Sequence, residues 1–366
     1  MTSASGFPAT GNYYIMIDSE QMQVTGGQGT TTWTVTRGAN ATTAATHALS
    51  ASVFQSATTV CPIEPIFFDP IITRYKPTLM RNSFVAKYES IIVSEHSELK
   101  GLKMPATFEM LSWLLGYAVK GGVVASGGPA YAWAFSPTIT ADDLLGMGGE
   151  FYNDTAVYHI AGLYCDQIVI DIVRGSDSAQ CTFDFMGQMA FAMGARTPAL
   201  TTPLAPGTNF LNLINPAYTT VYLDSASYGT TPFNDFASTK MTIKNGIQQL
   251  FFLNGVLYPT GIARPARSMD IELVQWFDSA AELANAMNAV GNGVYRKVQI
   301  GSSGPAIGTS GTNNSLVVKA GLYWDTTPFK VDKDVWNLTL TGSTVYDTAQ
   351  GNDWSIALVN GIAAAS

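Results

Sequence analysis

The sequence predicts a mainly β protein, in which two tandem β-sandwich units, each with one flanking α-helix, follow a small N-terminal β meander. Three observations lead to this fold class. Short segments that alternate apolar and polar residues, separated by Gly, Pro and small polar residues, recur along the chain and are typical of half-buried strands. Only two stretches carry apolar residues at helical spacing. One six-residue motif occurs twice in similar surroundings, which indicates a duplication.

The meander and a linker occupy residues 1–60. Tyr13–Ile17 is apolar and rich in strand-forming residues, and residues 21–25 and 31–36 alternate in polarity. The glycine-rich segment 26–29 predicts a hairpin turn between the last two of these strands. The small polar residues at 39–60 predict a linker. Because so short a meander buries little surface, we expect it to lean on a partner.

The first sandwich unit is predicted at residues 61–205. A strand at 97–102 precedes a helix at 106–119, which follows Pro105, and proline suits a first helical turn. The helix carries an apolar stripe made of Phe108, Leu111, Leu114, Leu115 and Ala118.

The second sandwich unit is predicted at residues 206–366 and repeats this plan. A strand at 269–277 precedes a helix that begins with a capping box, in which Ser279 stands three residues before Glu282. The apolar stripe of this helix is Leu283, Met287 and Val290, and Gly291 supplies a C-terminal stop.

The clearest sign of duplication lies after each helix. The motif AGLYCD at 161–166 recurs as AGLYWD at 320–325. Farther along, FDFMG at 183–187 corresponds to LTLTG at 338–342, in the same order relative to the helix. The segment 193–216, rich in Pro, Gly and Thr, is the expected divider between the two units.

The chain carries an unusually small number of charges. Only 13% of its residues are charged, against about 25% in an average soluble domain. Either a membrane protein or a subunit whose outer surface is covered by partners explains this. A spanning helix needs about 20 apolar residues, whereas the uncharged stretch 121–141 is full of Gly, Ser and Pro and the apolar run 110–119 is short. No signal peptide is recognisable, so we expect no membrane association.

The charges that are present are mostly acidic. The chain has 19 Lys and Arg against 27 Asp and Glu, and its net charge is −8. A protein that holds DNA or RNA needs a basic stripe to release counterions, and the basic residues here are scattered. Tight nucleic-acid binding is therefore not expected, although an acidic wall suits a polyanion that must slide past.

The sequence offers little for catalysis or metal binding. Its three cysteines form no CxxC pair, and its histidines, His47, His96 and His159, have no metal-ligand spacing. The glycine-rich segment 301–305 is interpreted as a plain loop and not as a phosphate cradle. Paired acids, at Glu95 and Glu98, Asp142 and Asp143, and Asp270 and Glu272, are interpreted as a solvated or inward-facing acidic surface, with glycoside hydrolysis as the alternative. We expect no enzyme activity, no cofactor and no metal.

Four stretches of residues 62–366 resemble one protein family. They are DPIITRYKPTLMRNSF from Asp69, PATFEML from Pro105, the segment 240–277 with KMTIKNGIQQLFFLNGVLYP and SMDIELVQWF, and the C-terminal strands from Trp336. Together they are similar to the tail tube, or major tail, proteins of long-tailed non-contractile bacteriophages (siphophages). The segment 17–47 is similar to a short β module found in assorted phage structural proteins.

The resemblance implies a structural virion protein with a self-assembling role. Rings of such subunits stack into a tail tube that carries genomic DNA during ejection, and the subunits are made in the cytoplasm of the bacterial host. A tape measure protein and a tail terminator are the implied partners. Because single-copy members form hexameric rings, two copies per chain imply a homotrimeric pseudo-hexamer, with a homohexamer as the alternative. A distal tail or baseplate ring protein is the main competing interpretation, and a carbohydrate-binding β-sandwich protein is a second one.

Two sets of residues follow from the resemblance as candidate sites. The loop at 73–87 is long and the most basic stretch of the chain, and we expect it to contact the next ring through Arg74, Lys76, Leu79, Arg81 and Phe84. A second long loop, at 225–239, is expected to reach a neighbouring subunit. The acidic candidates for the lumen, from which DNA is repelled, are Glu95, Glu98, Asp270 and Glu272.

Overall fold

A computed structural model of the chain describes residues 7, 9, 11–49, 51, 53–55, 69–75, 91–119, 122–124, 129–137, 146–152, 157–188, 190–193, 212–233, 236–252, 256–264, 267–276, 293–309, 311–325, 329–332 and 335–362. The described residues form a mainly β protein, and the strand pairs within its sheets are antiparallel. The predicted fold class is therefore confirmed.

The N-terminal sheet contains one more strand than predicted. Its strands are β1 (Tyr13–Ile17), β2 (Glu20–Gly26), β3 (Thr34–Thr36) and β4 (Val53–Gln55), in the order β3-β2-β1-β4. The prediction of a linker at 39–60 is wrong for β4, because these three residues pair with the free edge of β1. Residue propensities do not predict such a strand, since it forms by pairing with β1, which is distant in the sequence.

This small sheet packs against the rest of the chain, because so few residues bury little apolar surface alone. Met16 is fully buried and packs against Val157, which belongs to the main body. The amide of Gln21 lies 3.5 Å from the Glu150 carboxylate. The expected partner of the meander is therefore found, at least in part, within the same chain.

A buried carboxylate fixes the segment that follows the meander. Glu20 has no exposed surface and accepts hydrogen bonds from the Arg37 guanidinium and from the backbone N–H groups of Gly38 and Ala45, at 2.9 Å each. His47 lies between this carboxylate, at 2.9 Å, and Asp18, at 2.8 Å. Burial raises the pKa of Glu20, but the donors outweigh burial and lower it to about 2.

The first half of the main body contains one described helix. It comprises β5 (Asp69–Tyr75), β6 (Ile91–Pro105), α1 (Phe108–Val119), β7 (Gly122–Val124), β8 (Tyr131–Phe135), β9 (Met147–Tyr152), β10 (Val157–Val173), β11 (Gln180–Gly187) and β12 (Ala190–Met193). The helix was predicted at 106–119 and begins slightly later, because the Thr107 hydroxyl accepts from the N–H of Met110, at 3.1 Å, and so caps the N-terminus. All the residues of its predicted stripe are buried.

The second half of the main body begins with a short 3₁₀ helix (Pro216–Tyr218) and is otherwise described as strands. It comprises β13 (Thr219–Asp224), β14 (Pro232–Phe233), β15 (Phe236–Lys244), β16 (Gln248–Leu250), β17 (Gly261–Ala263), β18 (Ser268–Trp276), β19 (Arg296–Ala306), β20 (Asn313–Leu322), β21 (Phe329–Asp332), β22 (Val335–Ser343) and β23 (Trp354–Asn360). The predicted second helix, with Ser279, Glu282, Leu283, Met287 and Val290, lies outside the described residues, as does most of the divider at 193–216.

Two large sheets share one apolar core. The longer sheet runs β21-β22-β18-β15-β10-β11-β6-β5, with β9 and β12 paired to the first part of β10. The other runs β14-β13-β19-β20-β23-β8-β7. Both contain strands from each of the two predicted units, and one cluster of buried side chains extends from Leu99 to Leu358. The two halves therefore stabilise each other through a common interior.

Two predicted loops are largely strand. The glycine-rich segment 301–305 lies within β19, so its interpretation as a loop is wrong. Glycine and serine are neither clearly apolar nor clearly polar, and a sequence made of them shows no alternation that would indicate a strand. The predicted long loop at 225–239 contains β14 and the start of β15. In its remaining part, the Tyr228 hydroxyl donates to Asp347 at 2.8 Å, and Lys297 stacks over the Tyr228 ring. This residue faces its own chain.

The Glu20 cluster makes the N-terminal module sensitive to acid. The pKa of Glu20 is about 2 in the fold and 4.5 in an unfolded chain. Its stabilising contribution is therefore complete above pH 4.5 and is lost as the pH falls toward 2. We expect the amide protons of Gly38 and Ala45 to lose hydrogen-exchange protection over this interval, after correction for intrinsic rates.

The matched control for this experiment is Glu20→Gln. The amide side chain is neutral at every pH, so this variant should show weaker protection at neutral pH and no acid-dependent loss at these two amides. Wild-type protection that does not change with acidification contradicts the role assigned to Glu20.

Candidate assembly interface

The long sheet contains two sets of four strands whose pairings can be aligned with the sequence repeat. Gly187 of β11 pairs with Ser97 of β6, and Gly342 of β22 pairs with Ile271 of β18. These glycines end the FDFMG and LTLTG segments, so the pairing follows the sequence repeat. The set β10-β11-β6-β5 therefore corresponds to β21-β22-β18-β15, where β21 matches the second part of β10.

The two sets lie head to tail. The last strand of the second set, β15, pairs antiparallel with the first strand of the first set, β10, from Ser238 opposite Val173 to Lys244 opposite Gln167. We call this pairing the internal junction. It turns two four-stranded sets into one continuous sheet and leaves one unmatched strand at each end.

The internal junction is apolar on one face and charged on the other. Toward the core, Ile243 pairs with Ile168 and Met241 pairs with Ile170, and all four side chains are buried. Their burial contributes roughly 1.5–3 kcal/mol each relative to exposure.

On the opposite face of the junction, Lys240 pairs with Asp171. Burial raises the pKa of Asp171, and the positive charge of Lys240 acts in the opposite direction. Opposite charges directly across two antiparallel strands stabilise their pairing. The junction therefore combines an apolar seam with one favourable charge pair.

Residues that flank the β16–β17 hairpin tie the second half to the end of helix α1. The buried side-chain amide of Asn245 donates to the carbonyl oxygens of Ala118, at 3.0 Å, and Cys165, at 2.7 Å. Arg267 donates to Asn245, at 2.7 Å, and to the Val119 carbonyl, at 3.1 Å. The last helical carbonyls of the first half, which have no partner within the helix, are thus satisfied by the second half.

The ends of the long sheet are open edges among the described residues. There, β5 pairs only with β6, and β21 pairs only with β22. On β5 the apolar side chain of Ile72 is 40% exposed. An unpaired strand presents a row of backbone N–H and C=O groups, so each edge is a template for pairing with another chain.

The predicted acidic candidates are divided between two faces of this sheet. Glu98 and Glu272 occupy equivalent positions, one residue beyond Ser97 and Ile271, and Asp270 shares the face of Glu272. Glu95 lies on the opposite face from Glu98, because their positions along the strand differ by three and side chains alternate between faces. The structure therefore brings Glu98, Asp270 and Glu272 onto one polar face, but it does not bring Glu95 there.

That polar face is mixed in charge. Lys100 lies 2.5 Å from Glu98, and Lys244 lies 2.8 Å from Asp270. Burial raises the pKa of Asp270, but hydrogen bonds from Lys244 and Ser343 outweigh burial and hold it below its usual value. Charged residues of both signs lie on this face. They include Glu98, Asp171, Asp184, Asp270 and Glu272 together with Lys100, Lys103, Lys240 and Lys244. The predicted acidic character of a lumen wall therefore stays a prediction.

The basic loop predicted at 73–87 is described only at its start. Residues 73–75 continue strand β5, where the side chain of Arg74 is exposed. The other candidates for contact with the next ring, Lys76, Leu79, Arg81 and Phe84, lie outside the described residues.

Within the described ranges, no group of three or more His, Cys, Asp or Glu has the arrangement of a metal site. Burial raises the pKa of the Cys165 and Cys181 thiols and lowers that of His159 to about 3. Cys61, Asp142 and Asp143 lie outside the described ranges. No helix within the described ranges is long and apolar enough to cross a bilayer.

Comparison with models of protein families and with curated proteins found no match.

Removing the Asn245 amide should destabilise the joint between the two halves. Asn245→Ala removes the donor that two buried carbonyls share and the oxygen that accepts from Arg267, which keeps its bond to Val119, at a cost of about 1–3 kcal/mol. We expect a lower thermal midpoint for the main-body transition in calorimetry. Asn313→Ala, at an exposed asparagine on β20, is the matched control and should leave the midpoint unchanged. Equal midpoints for the two variants contradict the role of Asn245.

Proposed function

We propose that this protein is a structural subunit that assembles with copies of itself into stacked rings, forming the tail tube of a siphophage. The observation that carries the proposal is the head-to-tail order of the two four-stranded sets in the long sheet. The first strand of one set, β10, receives the last strand of the other set, β15, and the two outermost strands, β21 and β5, each pair with one strand only among the described residues.

Head-to-tail contacts determine what kind of assembly is possible. A heterologous interface generates a closed ring when its rotation closes, and an open helical filament when it does not. Three chains supply six sets, so a homotrimer gives a pseudo-hexameric ring, and a homohexamer with twelve sets is the alternative. Stacking of such rings requires a second, axial contact, for which the basic residues at 73–87 are the candidates.

Composition supports the same proposal. A subunit with lateral and axial neighbours has little free surface, which fits a charged fraction of only 13%. Its net charge of −8 repels DNA, so a strand of genome can pass without being held. The proposed location is the virion, after synthesis in the host cytoplasm, and the proposed partners are a tape measure protein and a tail terminator, from the resemblance.

Electron microscopy of the purified protein in negative stain separates the candidate functions. The proposal predicts tubes, with ring layers at a regular axial spacing, when the protein is concentrated. Rings that never stack favour a distal tail or baseplate protein. Particles that remain monomeric at every concentration contradict both, and a glycan array then tests the remaining carbohydrate-binding alternative.

A further inference from the structure

We infer that a cavity at the start of helix α1 is a binding site for a small primary alkylammonium ion. The cavity has a volume of about 200 Å³ and lies between Glu109 of α1, Asn212, the turn that joins β19 to β20, and Gly361, which follows β23. Both halves of the main body therefore contribute to its wall. The inference does not depend on the proposed function.

Two buried side chains on the cavity wall each have an oxygen atom without a partner. Glu109 is 2% exposed and Asn314 is 1% exposed. Among the described residues, neither Oε2 of Glu109 nor Oδ1 of Asn314 accepts a hydrogen bond. Such atoms are rare in folded proteins, because their lost hydration is not compensated. Two of them on one cavity indicate a ligand that donates hydrogen bonds.

The other polar atoms of these two side chains are already engaged. The side-chain amide of Asn212 donates to Oε1 of Glu109. The side-chain amide of Asn314 donates to the Pro305 carbonyl, at 2.9 Å. Because the amide nitrogen of Asn314 is used in this way, its oxygen is the atom left for a ligand. The two acceptors are therefore held in position before a ligand arrives.

A positively charged ligand suits the electrostatics of Glu109. Burial raises the pKa of this carboxyl, and hydrogen bonds from Asn212 and from the backbone act in the opposite direction without full compensation. The groups that act on the pKa are all uncharged. A bound cation would supply the missing stabilisation of the ionised carboxylate.

An anion does not suit the cavity, although the cavity adjoins the N-terminus of a helix. The N–H group of Phe108 donates to the Asn212 carbonyl, at 3.1 Å, and that of Met110 donates to the Thr107 hydroxyl, at 3.1 Å. These donors of the first helical turn are already used, whereas an anion site needs them free.

The composition of the wall favours an alkylammonium ion over a metal ion. Calcium takes about six to eight oxygen ligands, whereas only two side-chain oxygens without partners are found on the described part of this wall. An ammonium group has N–H donors for both oxygens. Pro129 and Ile307 supply apolar surface for a short alkyl chain. The volume is below the range of about 300–1,000 Å³ that is usual for drug-sized ligands, so the ligand is small.

Calorimetric titration of the full chain with n-butylammonium chloride tests the site. The protein should bind this ion at least ten-fold more tightly than 1-butanol, which lacks the charge, and than tetramethylammonium, which lacks N–H donors. Calcium chloride tests for a metal site. The inference is overturned if n-butylammonium does not bind at millimolar concentration, or if any of the other three compounds binds as tightly.

A conservative substitution tests the role of the buried carboxylate. Glu109→Gln keeps the size of the side chain and removes its charge, so it should weaken n-butylammonium binding at least ten-fold. Asp177→Asn is the matched control, because it removes one negative charge at an exposed position between β10 and β11. Its affinity should equal that of the wild type. Equal affinities of the two variants contradict the role of Glu109.

A second variant tests the cavity without changing the buried charge. Ala306→Phe adds a large side chain at an exposed position on the cavity wall and should obstruct the site. The thermal midpoint of each variant without ligand reports whether it folds. A ligand that binds the folded state raises the midpoint, so n-butylammonium should raise that of the wild type more than that of Ala306→Phe. An equal rise in both proteins overturns the inference.

Discussion

The backbone pairing of β10 with β15 is the interaction on which the rest of this structure depends. A strand has two hydrogen-bonding edges, and β10 offers one to its own repeat, through β11, and the other to the following repeat, through β15. This single contact makes one sheet out of two sets and brings both halves around one core. It also orients the two sets in the same direction along the sheet, because the last strand of the second set, β15, pairs with the first strand of the first set, β10.

Side-chain contacts reinforce this pairing where the two halves meet. The Asn245 amide and the Arg267 guanidinium belong to the second half, yet they satisfy carbonyl groups at the end of the helix in the first half. Neither half has its full set of hydrogen bonds alone.

Local patterns in the sequence predicted the elements better than their partners. The predicted strands at 97–102 and 269–277 lie in β6 and β18, and helical spacing located α1. The pairing of β15 with β10 could not be predicted, because it depends on which backbone edges meet, and no periodic pattern in the sequence reports that. β4 was missed for the same reason. The grouping of Glu95 with Glu98 failed because two acids three residues apart on a strand point to opposite faces.

The central proposal is that copies of this chain assemble into stacked rings. A three-dimensional electron-microscopy reconstruction of the concentrated protein tests it most directly. Our account predicts rings of three chains that stack into a tube around a central channel. A protein that forms neither rings nor tubes at any concentration would contradict it.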